Sequence, residues 1–170
     1  DEDDVALTTQ MYSSDIVFFL TQADSFLRGD DLAALANIMC VHSSQSSMGI
    51  HTMYILATHA NAVGTPTKVE TIMRNGMKRL VDTLTEKQLE LIGIDRDDYS
   101  GLTSRCFGFD LNNAYFGEKL NDDIRALIPN LIKNRNRQLV QELNLVCDTR
   151  KEQFRKGNSY SSNFFMICHF

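Results

Sequence analysis

Proline and glycine are scarce, at 2 and 9 of 170 residues. That scarcity excludes a collagen-like or low-complexity chain. It also argues against an all-β sandwich, which needs a turn residue about every 8 to 12 positions. The longest stretch without a formal charge, residues 32–67, is full of Ser, His, Asn and Thr, so it does not read as a membrane span of about 20 apolar residues. Several signatures of chemistry are absent: no Gly-rich phosphate loop, no G-x-G-x-x-G, no H-E-x-x-H and no G-x-S-x-G around the serines at 43, 44, 46 and 47. No Asn-x-Ser/Thr sequon is present either, which leaves glycosylation without bearing on compartment.

What is present describes a soluble globular chain. Apolar residues make up 43%, charged residues 23%, and the formal net charge is −5. A chain of this size buries roughly 70% of the surface that its unfolded form exposes. Residues 1–10 read as an acidic flexible N-terminus, opening with four consecutive acids that repel one another, and residues 11–170 as a single helical domain. The first residue is not Met, which is the expected trace of a removed signal peptide, pro-segment or leader.

Helical spacing dominates the pass along the chain. Tyr12, Ile16, Phe19, Leu20, Ala23, Phe26 and Leu27 recur at three and four and predict a helix over 11–27. Asp30 is a natural N-cap for a second helix reaching Cys40. A third has Ile50, Met53, Tyr54, Ala57 and Ala60 inside and ends at Gly64. Pro66, followed by Thr67 and Glu70 in capping-box spacing, starts a fourth, within which Gly76 costs about 1 kcal/mol relative to Ala unless another element must approach closely there. Thr85 with Gln88 caps a short helix closed by Gly93. Residues 94–120 read as short turns around Phe107, Phe109, Tyr115 and Phe116. Asn121 or Asp122 opens the last helical region, with Pro129 near its start and a long pattern over 131–156. Ile132, Leu139, Leu143, Val146 and Phe154 form its buried stripe, so Leu143→Ala is expected to cost about 2 to 5 kcal/mol. No alternating run reaches six residues. The expected fold is therefore all-α, a single compact multi-helix bundle of six to eight helices, with the apolar tail 157–170 packed back across it.

Cys40, Cys106, Cys147 and Cys168 are even in number and widely spaced, which suits staples better than a redox or zinc motif. Two bridges, with Cys40–Cys106 and Cys147–Cys168 favoured among three connectivities, would contribute roughly 4 and 3 kcal/mol in the chain-entropy model and imply secretion to the extracellular space.

The candidate reactive groups reduce to structural ones. An EF-hand starting at Asp95 fails where Tyr99, Ser100 and Cys106 stand. His51 and His59 lie eight positions apart, about 12 Å along a helix, too far to share one metal ion. The acidic pairs at 30–31, 97–98 and 122–123 suit helix starts. No metal, no cofactor and no catalytic residue is expected. Charge is unequally spread, however. Lys133, Arg137, Lys151 and Arg155 fall on one helical face over roughly 33 Å at 1.5 Å per residue. With the aromatic tail at Phe164 and Phe165 they form the expected binding surface. The functional expectation is a secreted, non-enzymatic helical binding protein whose partner is an acidic protein or anionic glycan. The alternative is a carrier of a small apolar ligand held between helices by Met and Phe side chains. The acidic balance, with a pI near 5.3, argues against nucleic acid.

Overall fold

The structure is a computed structural model that describes residues 14–167, with side chains described for 14–156. It corrects the all-α expectation. A three-stranded parallel sheet, ordered β1-β2-β3, is formed by β1 (Val17–Gln22), β2 (Met53–Thr58) and β3 (Cys106–Phe109). Six α-helices accompany it among the described residues: α1 (Asp30–Gln45), α2 (Ala60–Val63), α3 (Pro66–Thr83), α4 (Glu86–Ile92), α5 (Ser100–Thr103) and α6 (Ala114–Ile167). The chain divides into two compact units, residues 1–125 and 126–170.

Two of the expected helices are strands, and the cause is physical. A strand covered on both faces, as β2 is, reads as a continuous apolar run with no alternation to find, whereas β1 is apolar throughout although its Phe18 and Leu20 side chains are exposed. Residues 53–57 are all buried. Such a run also satisfies a three-and-four spacing test by density alone. In β1 the sequence is Val-Phe-Phe-Leu, β-branched and aromatic, which favours the extended chain. The registers Val17 to Met53 and Ile55 to Cys106 then fix which residues share a face.

On one face Ile55, Ala57 and Met53 join Leu35 and Met39 of α1, Met77, Leu80 and Val81 of α3, and Leu89 of α4 in the main core. A parallel pair cannot be closed by a hairpin, and here α1 supplies one crossover and α2 to α5 the other. Locally, α3 begins at Pro66 as the sequence implies, although its N-cap is Thr65 and no capping side-chain bond forms. The Thr85/Gln88 capping box is present, and Gly93 closes α4 in the left-handed region at φ 76°. Gly76 faces Phe26: a Cβ there would lie 2.4 Å from Phe26 Cδ1. Close approach is the reason for that glycine.

On the other face Phe18 stacks on Tyr54 at 5.4 Å, and Tyr54 lies 5.8 Å from Phe107. The first turns of α6 reach this face through Asp123. Its carboxylate accepts two bonds from the Arg105 guanidinium, at 2.6 and 2.8 Å, and one from the Tyr54 hydroxyl at 2.7 Å. Asp123 therefore sits inside α6, not at a helix start as its pairing with Asp122 suggested. Burial, then the bond to Asp123, push the Tyr54 hydroxyl well above its usual acidity range.

The cysteine expectation is corrected as well. Cys40, Cys106 and Cys147 are free thiols, and Cys168 lies outside the described residues. Cys40 and Cys106 each pack separately against the main core, from α1 and β3. Burial raises both thiols, Cys106 to about 12. No bridge occurs among the described residues, so the cysteines lend no support there to an oxidising compartment.

In the second unit the expected buried stripe is exposed. Leu143 is 63% exposed, and Ile132, Leu139, Val146 and Phe154 are exposed as well. The described part of that unit is one helix, with no second helix of its own to cover it. The 2 to 5 kcal/mol expected for Leu143→Ala is withdrawn accordingly. No helix among the described residues is long and apolar enough to cross a membrane.

Candidate functional site at the carboxyl ends of the strands

In an open parallel sheet the segments that follow the strands emerge on one edge, and that edge is where such sheets place their ligands. Here the three segments begin at Ala23, His59 and Asp110. They enclose an open cleft of about 410 Å³. Its walls are polar at Thr21, Gln22, Thr58, His59, Asp110 and Asn112, and apolar at Leu20, Phe109 and Leu111.

Hydrogen bonds tie the three segments together. The Thr58 hydroxyl donates to the Thr21 carbonyl at 3.0 Å, and the Ala23 amide donates to the Thr58 carbonyl at 2.9 Å. The Thr21 hydroxyl donates to Asp31 in the first turn of α1, which locks the end of β1 to that helix. His59 adopts the left-handed conformation at φ 56°, turning the chain sharply from β2 into α2.

Asp110 is the hub. Its Oδ2 accepts the Asn61 amide at 3.1 Å and its Oδ1 the Asn112 amide at 2.9 Å. A carboxylate offers about four acceptor positions, and these two bonds use one on each oxygen. The Asn113 side chain donates to Asn61 Oδ1 at 3.3 Å, and Asn113 Oδ1 accepts the Tyr115 amide at the start of α6. Among the described residues no Lys or Arg lines the cleft. It therefore offers a carboxylate, amides, hydroxyls and one imidazole beside apolar walls. That chemistry suits a flat, uncharged group with a row of N–H donors along one edge, and gives nothing to neutralise a phosphate.

The sites expected from sequence lie elsewhere. Lys133, Arg137, Lys151 and Arg155 are all exposed on α6, and Lys151 pairs with Asp148 at 3.2 Å. The side chains of Phe164 and Phe165 lie outside the described residues. Of the histidines, His42 is buried at 3% exposure and bonded to the Thr52 hydroxyl at 2.7 Å, whereas His51 and His59 are exposed. The acidic turn at 95–98 is an Asx structure: Asp95 accepts the Asp97 amide and Asp98 the Ser100 amide. No cluster of three or more metal-ligating side chains occurs among the described residues. Sequence reasoning missed Asp110 and Asn61 because the strands before them were read as a helix and a loop. The available signal was an apolar run ending in polar residues, seen twice, at Thr58-His59 and at Phe109-Asp110.

No family model matches the chain, and neither the curated proteins nor the solved structures provide a match.

Proposed function

We propose that this chain is a ligand-binding α/β domain that holds the base of a nucleoside or nucleotide at the carboxyl edge of its sheet. The observation that supports this reading is Asp110: a carboxylate set where three parallel strands end, lining a cleft together with the apolar side chains Leu20, Phe109 and Leu111. Purines with adjacent N–H donors, such as guanine, fit a carboxylate that accepts two bonds side by side. The cation-free lining leaves any phosphate outside the cleft.

Isothermal titration of the chain with guanosine, adenosine, cytidine, uridine and xanthosine tests it. Guanosine should bind most tightly. Asp110→Asn should weaken guanosine by about ten-fold or more, the loss of one charge-assisted bond. It should improve xanthosine, which carries an oxygen where guanosine carries an amino group. Circular dichroism of the variant checks that it folds, since an Asn side chain can keep only one of the two bonds that the Asp110 carboxylate accepts from the Asn61 and Asn112 amides. Absence of binding by all five nucleosides at millimolar concentration refutes the reading, as does a folded Asp110→Asn variant with unchanged selectivity.

A second reading concerns α6, as a contact for an acidic protein or an anionic glycan. It is favoured by a separate observation, the exposure of Lys133, Arg137, Lys151 and Arg155 beside exposed Ile132, Leu139 and Leu143. Such exposed charges steer association more than they hold it, so binding through them should weaken steeply with salt.

A further inference from the structure

A second cavity, of about 280 Å³, lies along the outer edge of β3 and shares no lining residue with the cleft at the strand ends. Val69 and Met73 of α3, Cys106 and Gly108 of β3, and Tyr115 and Phe116 of α6 make it largely apolar. Gly108 lets the Phe116 ring and Val69 pack closely onto β3 at one wall of it: a Cβ there would lie 2.9 Å from the Phe116 ring and 3.1 Å from Val69 Cγ1. An apolar cavity of about 150 Å³ admits benzene, so this one has room for a two-ring aryl group.

Its polar side is cationic on balance. Lys119, Arg74 and Glu70 all line it. Lys119 reaches Glu70 at 3.4 Å and sits 5.8 Å from the centre of the Tyr115 ring. Arg74 is exposed and has no ion pair among the described residues. Two cations thus face one carboxylate. Among the described residues β3 is an edge strand, so its outer backbone groups have no strand partner there and can meet a polar atom of a ligand.

The geometry points to a site for a small aryl carboxylate, with its ring against the wall formed by Val69, Met73 and Phe116 and its anionic end at Arg74 and Lys119. Charge complementarity selects an acid over an amine of the same shape, and the cavity volume excludes a peptide of several residues. The inference does not depend on base binding at the strand ends.

Three probes with one ring system separate the contributions: indole-3-acetate, neutral indole and cationic tryptamine, titrated into the whole chain and followed by amide NMR shifts. Indole-3-acetate is expected to bind with submillimolar Kd and to move the Val69, Met73 and Gly108 amides. Indole should bind about five-fold more weakly and tryptamine more weakly still. Lys119→Gln and Arg74→Gln change exposed side chains and leave the fold intact. Each should weaken the acid by up to about five-fold without altering indole. The inference is overturned if no probe moves those amides at saturation, if the three probes bind alike, or if the two variants weaken indole and the acid equally. Guanosine titration of the same samples reads the other site separately, so either proposal can fail alone.

Discussion

Gly76→Ala sets two effects of opposite sign against each other. In an exposed helix interior the change stabilises by about 1 kcal/mol, because alanine loses less backbone entropy than glycine. In α3 the new methyl would lie 2.4 Å from Phe26 Cδ1 and 2.7 Å from Cε1. Carbon atoms in comfortable contact are about 3.5 to 4.0 Å apart, so the ring must retreat by about 1 Å. Phe26 is 1% exposed, so its ring is enclosed by other side chains. Its backbone is also held, since its carbonyl accepts a 2.7 Å bond from Arg79, one turn beyond Gly76 in α3. Overpacking of this kind costs about 1 to 3 kcal/mol, and a contact this short belongs at the upper end. Subtracting the propensity gain leaves a net loss of about 1 to 2 kcal/mol.

Urea denaturation followed by circular dichroism measures it, with the slope of the transition showing whether the unfolded state has changed. The decisive measurement is the double variant. In a Phe26→Leu background the obstructing ring atoms are gone, so Gly76→Ala should become neutral or stabilising, giving a coupling of about 1 to 3 kcal/mol. A single variant as stable as the parent refutes the packing argument. So does an equal loss in both backgrounds.

Two further outcomes follow from buried groups. At pH 8, Cys106, raised to about 12, is almost entirely protonated, so alkylation of the native chain should label it at least about ten-fold more slowly than an ordinary thiol, the greater nucleophilicity of its thiolate offsetting part of the smaller thiolate fraction. Exposed Cys147 should be labelled promptly, and a native chain protecting Cys147 would contradict its free, exposed state. For His42, burial lowers the pKa below the ordinary 6.5, outweighing the bond to Gly49. The unfolded chain therefore binds this proton more readily, and its stabilising contribution, complete above pH 6.5, is lost as pH falls from there towards the lowered folded value. His42→Gln should flatten the stability profile in that window, and an unchanged slope would rule His42 out as its source.

The parts of the fold that could be read from sequence are those decided within a few residues. Pro66 starts α3, Thr85 and Gln88 close a capping box, and Gly93 ends α4, because each solves a local hydrogen-bond or dihedral problem. Gly76 was legible as a close approach, but not what approaches. Parallel strands escaped because their signature is the absence of alternation, and Met53 to Ala57 fits a helix's inner face as well as a strand buried on both sides. The cysteines misled for a related reason: even number and wide spacing say nothing of which core surface each thiol packs against.

The candidate site depends on that same non-local step. Thr21, His59 and Asp110 are separated by 38 and 51 positions, and nothing in their local sequence relates them. An antiparallel arrangement would send the end of the middle strand to the opposite edge of the sheet from the other two. Only when both pairings are parallel do all three following segments emerge together. Asp110 can then accept the Asn61 amide across the β2 and β3 ends. Reading a single one of these strands as a helix removes the edge, and with it any reason to connect Asp110 to Asn61. The topology thus comes before the chemistry: three unremarkable polar turns become one cleft only because three apolar runs lie side by side in the same direction.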